Sequence, residues 1–307
     1  MQRYLLGRLV QSIFTILFVL LVVFVIVRLK GDPAAVMLGE NRDPETYAAV
    51  RRSLHLDDPI HVQFGAFLGK VFRGDLGYSW YQRRPALEVM LERFPATLQL
   101  AGAAFFFSLL LAIPLGVVAA IKRDTIYDRG LKIFALLGQA MPTFWVGLLL
   151  IVFVAGYLGL LPAGGRGGPS HLILPAIALG WFPAAAIARL TRSAMLDVLD
   201  SDFIKMARVK GVPEQMVIWK HAVKNAAIPV VTLMGLQIAG LLSGAVVTEQ
   251  VFAWPGVGWI TIQSIFGRDF PVVQAAVILL AAIHIAANLV VDIVYVYLDP
   301  RVRYLRR

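Results

Sequence analysis

Six long apolar runs follow one another along the chain, at about residues 9–27, 96–121, 133–158, 172–188, 228–248 and 272–298. Each is solidly apolar and lacks the every-second-residue alternation of a membrane barrel strand. Roughly 20 apolar residues in helical form cross about 30 Å of hydrocarbon, so the pattern predicts six transmembrane helices and an all-α integral membrane protein. The first run starts after Arg3 and Arg8, as a signal peptide does. It is too long for that, and Arg28-Leu29-Lys30-Gly31-Asp32-Pro33 follows without a small-residue cleavage site. An uncleaved anchor is expected.

Polar segments between the runs carry their own patterns. After Asp43, a residue suited to cap a helix, Pro44–Leu54 reads as a short helix. Following Asp57-Asp58-Pro59, which reads as a helix-entry turn, Ile60–Phe72 reads as an amphipathic helix with Phe64, Phe67, Leu68 and Val71 on one face. Gly74–Trp80 is turn-rich and aromatic. This region is either a cap on the membrane surface or a docking surface. Farther on, Ser193–Val209 reads as a helix that Gly211 can end in a left-handed cap. Pro213 then opens a second helix running to about Lys224. Two parts result: residues 1–95, one span plus a long polar segment, and residues 96–307, a five-span core with the loop at about 191–227. No internal repeat stands out. Within the spans, Pro114, Pro142, Gly102, Gly116 and Gly138 mark bends or close approaches, and Gly240 with Gly244 forms a small-xxx-small pair.

Composition agrees with the pattern: 59% of the 307 residues are hydrophobic and 16% charged, with a mean hydropathy of +0.74. That is too apolar for a soluble domain of this length. Charge sets the orientation. With the N-terminus inside, the cytoplasmic segments 1–8, 122–132, 189–227 and 299–307 hold 17 of the 29 Lys and Arg residues, against one each in 159–171 and 249–271. The first outer segment, about 28–95, holds 10, nearly cancelled by 9 Asp and Glu, and loops longer than roughly 60 residues escape the rule. Both termini are therefore expected on the cytoplasmic side. The formal charge of +10 is explained by anionic lipid and the membrane potential, without nucleic acid. Cysteine is absent, so thiolate chemistry is excluded.

Catalytic motifs are missing where they would matter. Gly65-Ala-Phe-Leu-Gly69-Lys70-Val71 has three residues between its glycines and a Val after the Lys, so it cannot serve as a phosphate loop. There is no zinc helix, no Gly-x-Ser-x-Gly elbow, and the five histidines lack ligand spacing. His284, Asn288 and Asp292 recur every four residues in the last run and share one helix face. Such a stripe is either interhelical packing or a proton path, the latter implying a secondary transporter that works without an ATPase. A membrane scaffold without transport of its own is a third possibility. Gln139 and Gln237 are candidates for a polar wall along a translocation path.

The stretch Asp202–Pro213, with Ala207 four residues before Gly211, resembles the signature loop of binding-protein-dependent ABC importer permeases. Several further stretches agree in order and spacing: Gly31-Asp32-Pro33, Gly74-Asp75-Leu76-Gly77 with Ser79, Phe94–Leu98, Ile173–Ala176, Arg189–Ser193, His221 with Asn225–Pro229, Thr248-Glu249 with Phe252 and Trp254–Gly256, and Asp299–Arg301. Over essentially its full length the chain resembles the dipeptide, oligopeptide and nickel class of these permeases, and the first of its two related permease chains. It departs from the general pattern in Lys205-Met206-Ala207, where that pattern has Glu-Ala-Ala, and in Pro229, which falls 18 residues after Gly211. The resemblance implies a type I importer permease fold in a bacterial plasma (inner) membrane. It also implies a second homologous permease chain, two ATPase subunits carrying ATP and Mg, and an extracytoplasmic solute-binding protein. No cofactor or metal belongs to this chain itself. Ala207, Arg208, Lys210, Gly211 and Val212 would contact the ATPase, and peptides would be carried, although nickel and glutathione-like peptides share the scaffold.

Overall fold

A computed structural model describes residues 2–29, 34, 43–53 and 55–298. Its elements are α1 (Gln2–Leu29), α2 (Pro44–Ser53), α3 (Ile60–Phe72), β1 (Tyr78–Ser79), β2 (Arg84–Pro85), α4 (Ala86–Ile121), α5 (Ile126–Ala140), α6 (Thr143–Leu150), α7 (Pro169–Leu199), α8 (Asp202–Val209), α9 (Glu214–Val251), α10 (Val257–Phe266) and α11 (Phe270–Leu298). Five helices are long and apolar enough to cross a membrane, and α5 with α6 supplies a sixth span if the pair is taken as one. The chain packs as two units, Ala96–Trp259 with the end of α11 from Ala287, and Gln2–Pro95 with Ile260–Ala286.

In the first unit α7 is the central helix, packed by α9, α5 and α6. Its buried positions are mostly small: Ala178, Ala184, Ala185 and Ala188 are fully covered, with Ile187. Lipid offers no hydrophobic drive between helices, so close backbone approach through small residues does the packing. A Cβ on Gly116 would meet Thr191 and the Ala188 carbonyl, and one on Gly138 would overlap Ala185. Those two glycines mark close approaches as expected. Gly102 and Gly240 face open space, and Gly244 alone of its pair touches a neighbour, Leu179. Large apolar side chains such as Phe106, Leu110, Ile133, Leu136 and Val152 are exposed, which suits helices whose solvent is hydrocarbon.

The third span, expected over 133–158 with Pro142 marking a bend or close approach, is two helices that meet at that proline. Helix α5 begins at Ile126, and α6 leaves it at 108° across Met141-Pro142. Proline has no N–H to give the ladder and its ring crowds the preceding turn. After Leu150 the winding loosens to π-helical over Ile151–Tyr157. Pro114, the other expected bend, lies inside unbroken α4.

The second unit carries the polar segment after the first span. Asp43 caps α2, its Oδ2 accepting from the Thr46 N–H (3.0 Å) and hydroxyl (2.7 Å). These bonds hold its carboxyl below the ordinary range. The Phe24 ring of α1 meets Phe64 and Phe67 of α3 at 5.1 and 5.6 Å between centroids, the apolar face the periodicity picks out. Asp57 and Asp58 are engaged locally, by Arg51 (2.5 Å) and His55 (2.7 Å). Two elements were not expected. Strands β1 and β2 form an antiparallel hairpin, Tyr78 opposite Pro85 and Ser79 opposite Arg84, where the sequence reads only as turn. Asp269 anchors it, its Oδ2 accepting from the buried Ser79 hydroxyl and, at 3.4 Å, from the Tyr81 N–H. Helix α10 likewise occupies what reads as a loop. Of the motif residues, Lys30–Pro33 and Asp299–Arg301 lie outside the described residues, as does Leu54.

Candidate functional site

The signature segment folds as an elbow between α7 and α9. The single helix expected over Ser193–Val209 is broken at Asp200-Ser201. The Ser201 hydroxyl donates to the Val198 carbonyl at 2.5 Å, and its backbone is extended (φ −73°, ψ 152°). Short polar side chains compete with the ladder in this way and favour helix ends. α8 then starts afresh. Its Ile204 is buried, and Ala207 packs with it against Val117, Ala120, Met195, Val217 and Ala222.

Gly211 ends α8 in the left-handed conformation, with φ +76°. Its N–H donates to the Arg208 carbonyl (3.0 Å) and the Val212 N–H to the Ala207 carbonyl (3.2 Å). This pair of bonds is the Schellman closure, and Val212 packs beside Ala207 to complete it. Across the turn Arg208 grips Glu214 with two bonds, Nη2 to Oε1 at 2.8 Å and Nε to Oε2 at 3.2 Å. That partner raises the Arg208 pKa above its ordinary value. The second helix does not stop near Lys224. From Glu214 it runs through a π-helical stretch, Val217–Ala222, and on to Val251 as the fifth span. No glycine or proline interrupts it before Pro229, so nothing ends the ladder.

The five residues expected at the partner surface therefore divide. Lys210 and Gly211 are exposed, and a Cβ on Gly211 would meet nothing among the described residues. Ala207 and Val212 turn inward, and Arg208 is occupied by Glu214. What the elbow presents instead is an apolar stripe: Phe203 (48% exposed), Met206 (55%) and Val209 (83%), three residues apart on α8, with Met216 and Trp219 exposed nearby. In the sequence Phe203, Met206 and Val209 are simply part of the helix read over Ser193–Val209. Their i, i+3 spacing, one position out of step with Ile204 and Ala207, is the signal that separates the two faces.

At the other end of α7 lies a buried polar knot that the motif residues form without any of them reading as a site in the sequence. Glu249, at the end of α9, is fully buried. The Thr97 hydroxyl donates to its Oε1 (2.6 Å) and the Trp259 N–H to its Oε2 (3.0 Å). Thr97 in turn accepts from the Val257 N–H (2.8 Å), and the Trp254 indole donates to the Ala96 carbonyl (2.8 Å). A Cβ on Gly256 would overlap the Glu249 carboxyl. Phe252 packs with Val146 of α6 and Leu174 of α7. The motif residues Thr97, Glu249, Phe252, Trp254 and Gly256 are thus one contiguous structure.

Gln139 is exposed on α5. Gln237 is half-buried on α9, with its Nε2 buried and unbonded among the described residues. His284 and Asn288 are half-buried on α11; Asp292 belongs to the same helix, its side chain outside the described residues. Among the described residues no three His, Asp or Glu side chains gather as metal ligands would.

Comparison with known proteins bears on what this arrangement serves. Residues 112–304 match the binding-protein-dependent transport system inner membrane component, and residues 1–101 match the N-terminal model of the same transport system membrane components. The di/tripeptide transport system permease protein of Pseudomonas aeruginosa (strain UCBPP-PA14) is 41% identical, over 98% of both chains. The glutathione transport system permease protein of Salmonella choleraesuis (strain SC-B67) is 42% identical, over 99% of this chain and all of that one. The dipeptide transport system permease protein of Escherichia coli (strain K12) is 40% identical, over 99% of both. A solved structure described as an amino acid ABC transporter with histidines superposes with a TM-score of 0.54 at 15% identity, over 68% of this chain and 93% of that one, a likeness of fold. Six apolar spans, the elbow at Gly211 and full-length similarity to permeases converge: the chain belongs to the binding-protein-dependent transport family, as an inner-membrane permease component of an ATP-driven ABC importer.

Proposed function

We propose that this permease carries di- or oligopeptides, glutathione-like peptides included, and forms half of a path completed by a second homologous chain. Two ATPase subunits, binding ATP and Mg, would drive it, and an extracytoplasmic solute-binding protein would supply it. The names of its relatives support the peptide class. The excess of Lys and Arg in 1–8, 122–132, 189–227 and 299–307 supports an orientation with both termini and the elbow in the cytoplasm.

The exposed stripe Phe203, Met206 and Val209, rimmed by Lys205 and Lys210, carries the coupling role. A helix that buries Ile204 and Ala207 in its own chain while leaving three large apolar side chains uncovered is shaped to be covered by a partner. Gly211 and the Arg208–Glu214 pair stiffen the turn, so thrust on α8 passes into α7 and α9 instead of being lost in a flexible loop. This revises the contact set: Phe203, Met206, Val209, Lys210 and the Gly211 turn face the ATPase, while Ala207 and Val212 shape the elbow from within and Arg208, though exposed, is tied to Glu214 across the turn. ATP-driven closure of the ATPase pair would then switch the spans, provided the two states differ in contacts at α8.

Met206→Asp tests the reading. The exposed site predicts a stability change within about 0.5 kcal/mol. An apolar anchor replaced by a charge predicts at least a ~10-fold loss of ATPase subunits co-purifying with the permease. Wild-type recruitment and wild-type ATP-driven peptide uptake by the variant would sink it.

A further inference from the structure

Asp128, at the start of α5, lies outside everything the elbow uses, and it is fully buried. Both of its oxygens are held by one guanidinium: Arg192 Nε reaches Oδ1 at 2.5 Å and Nη2 reaches Oδ2 at 2.9 Å. Oδ2 also accepts from the Asp124 N–H (3.1 Å) and faces Lys132 Nζ (3.0 Å). Arg192 stands two turns before the end of α7, the helix from which α8 hangs by two residues. Beside it Gly116 of α4 packs on Thr191 and Ala188 without room for a Cβ.

A buried ion pair is weak evidence for stability, because desolvation offsets most of the attraction and an apolar pair often serves as well. What a two-pronged Arg–carboxylate contact adds is a fixed relative position of the helices that carry it. Here those helices are α7, which receives any thrust delivered to α8, and α5, which leads into the 108° bend at Pro142. Without the clamp the end of α7 could turn on α5 as α8 moves, and the motion would dissipate before reaching the bend.

We infer that Asp128 is a positioning residue for transport: by clamping Arg192 it joins α5 to α7, so that a displacement of α8 moves the bent α5–α6 pair as well. The inference rests on α8 being the ATPase contact, and the experiment separates the two ideas. The chain has no cysteine, so spin labels can be placed at Asp202→Cys on α8 and Tyr157→Cys at the end of the bent pair, both exposed sites. Distances between them are measured in the assembled complex with and without ATP and Mg. Two backgrounds are compared with wild type: Arg192→Lys, which keeps the charge but cannot span both oxygens, and Asp128→Asn with Arg192→Gln, which removes both charges together and so avoids stranding one.

In the wild type, ATP shifts the distance distribution. In both backgrounds the complex still assembles, and the shift falls below about half of the wild-type value, as loss of a coupling contact requires. Basal ATP hydrolysis persists in both. A wild-type shift in either assembled variant would overturn the clamp and leave the pair a stability element only. No ATP-dependent shift in the wild type would instead overturn the role of α8, and the clamp with it.

Discussion

The two ends of α7 solve opposite problems. At one end the knot around Glu249 is closed: a buried carboxylate, two N–H donors, two hydroxyl bonds and a buried indole leave no polar group to solvent. Roughly 35 Å away along the helix, the α8 elbow is open, with Phe203, Met206 and Val209 uncovered. The knot's bonds all lie within the chain, so its geometry needs no partner. The elbow closes its backbone internally, through the Gly211 turn, and leaves its side chains outward. A saturated buried network fixes a position because every displacement strands a polar group. An exposed apolar stripe on a stiff backbone holds its own shape and remains available for another surface.

Breaking the knot should have the largest effect. Glu249→Ala removes the acceptor of the Thr97 hydroxyl and the Trp259 N–H and opens a cavity, at a combined cost of about 3 kcal/mol or more. Thermal unfolding of the detergent-solubilised complex measures it, and Glu249→Gln, which keeps one acceptor oxygen, should lose clearly less. Equal losses would show that the volume Gln retains adds nothing, and that the carboxylate's hydrogen bonds, and not packing, hold the knot.

At the elbow the effect should fall on transport instead of folding. Gly211→Asp adds a side chain where φ is +76°, a backbone cost of about 1 kcal/mol, into space that is open among the described residues. Membrane insertion is expected intact and ATP-driven uptake lost, because the obstruction is to the partner. A complex with full ATPase recruitment and normal stimulated hydrolysis would count against this.

Sidedness sharpens the comparison. Cysteine at Val209, 83% exposed, should label with an impermeant reagent only from the cytoplasm. Cysteine at Tyr81, 82% exposed on the hairpin, should label only from outside and crosslink to the binding protein. Labelling of both from one side would overturn the topology. The smallest change is expected from His284→Gln. Gln can donate and accept as a packed imidazole does, so ATP-driven uptake in vesicles should be near normal with an unchanged profile across about pH 6 to 8. Abolished uptake in an assembled complex would favour a proton path.

Much of this is legible in the sequence itself. Each long apolar run became a membrane-length helix or the bent pair, because hydrocarbon demands that every backbone group bond within its own helix. Gly211 took the left-handed cap, and Phe64 and Phe67 of α3 turned to α1, because both follow from local geometry. Less legible were the ends and the turns. The break at Asp200-Ser201, the continuation of Glu214 into the fifth span and the hairpin at Tyr78–Pro85 depend on which neighbours satisfy the freed groups. Pro114 and Pro142 illustrate the same limit: alike in sequence, one sits in an unbroken helix and the other marks a 108° bend.

Composition and periodicity by themselves determined the solvent of this protein and the number of its apolar runs. They did so because the cost of a polar group in hydrocarbon is paid residue by residue along the chain. Only the tertiary structure decided that Ala207 and Val212 face inward while Phe203, Met206 and Val209 face out. It alone joined Thr97 to Glu249 and Asp128 to Arg192, residues 152 and 64 positions apart. Such pairings depend on which helices pack side by side and in what rotation, and periodicity within one helix carries no information about its neighbour.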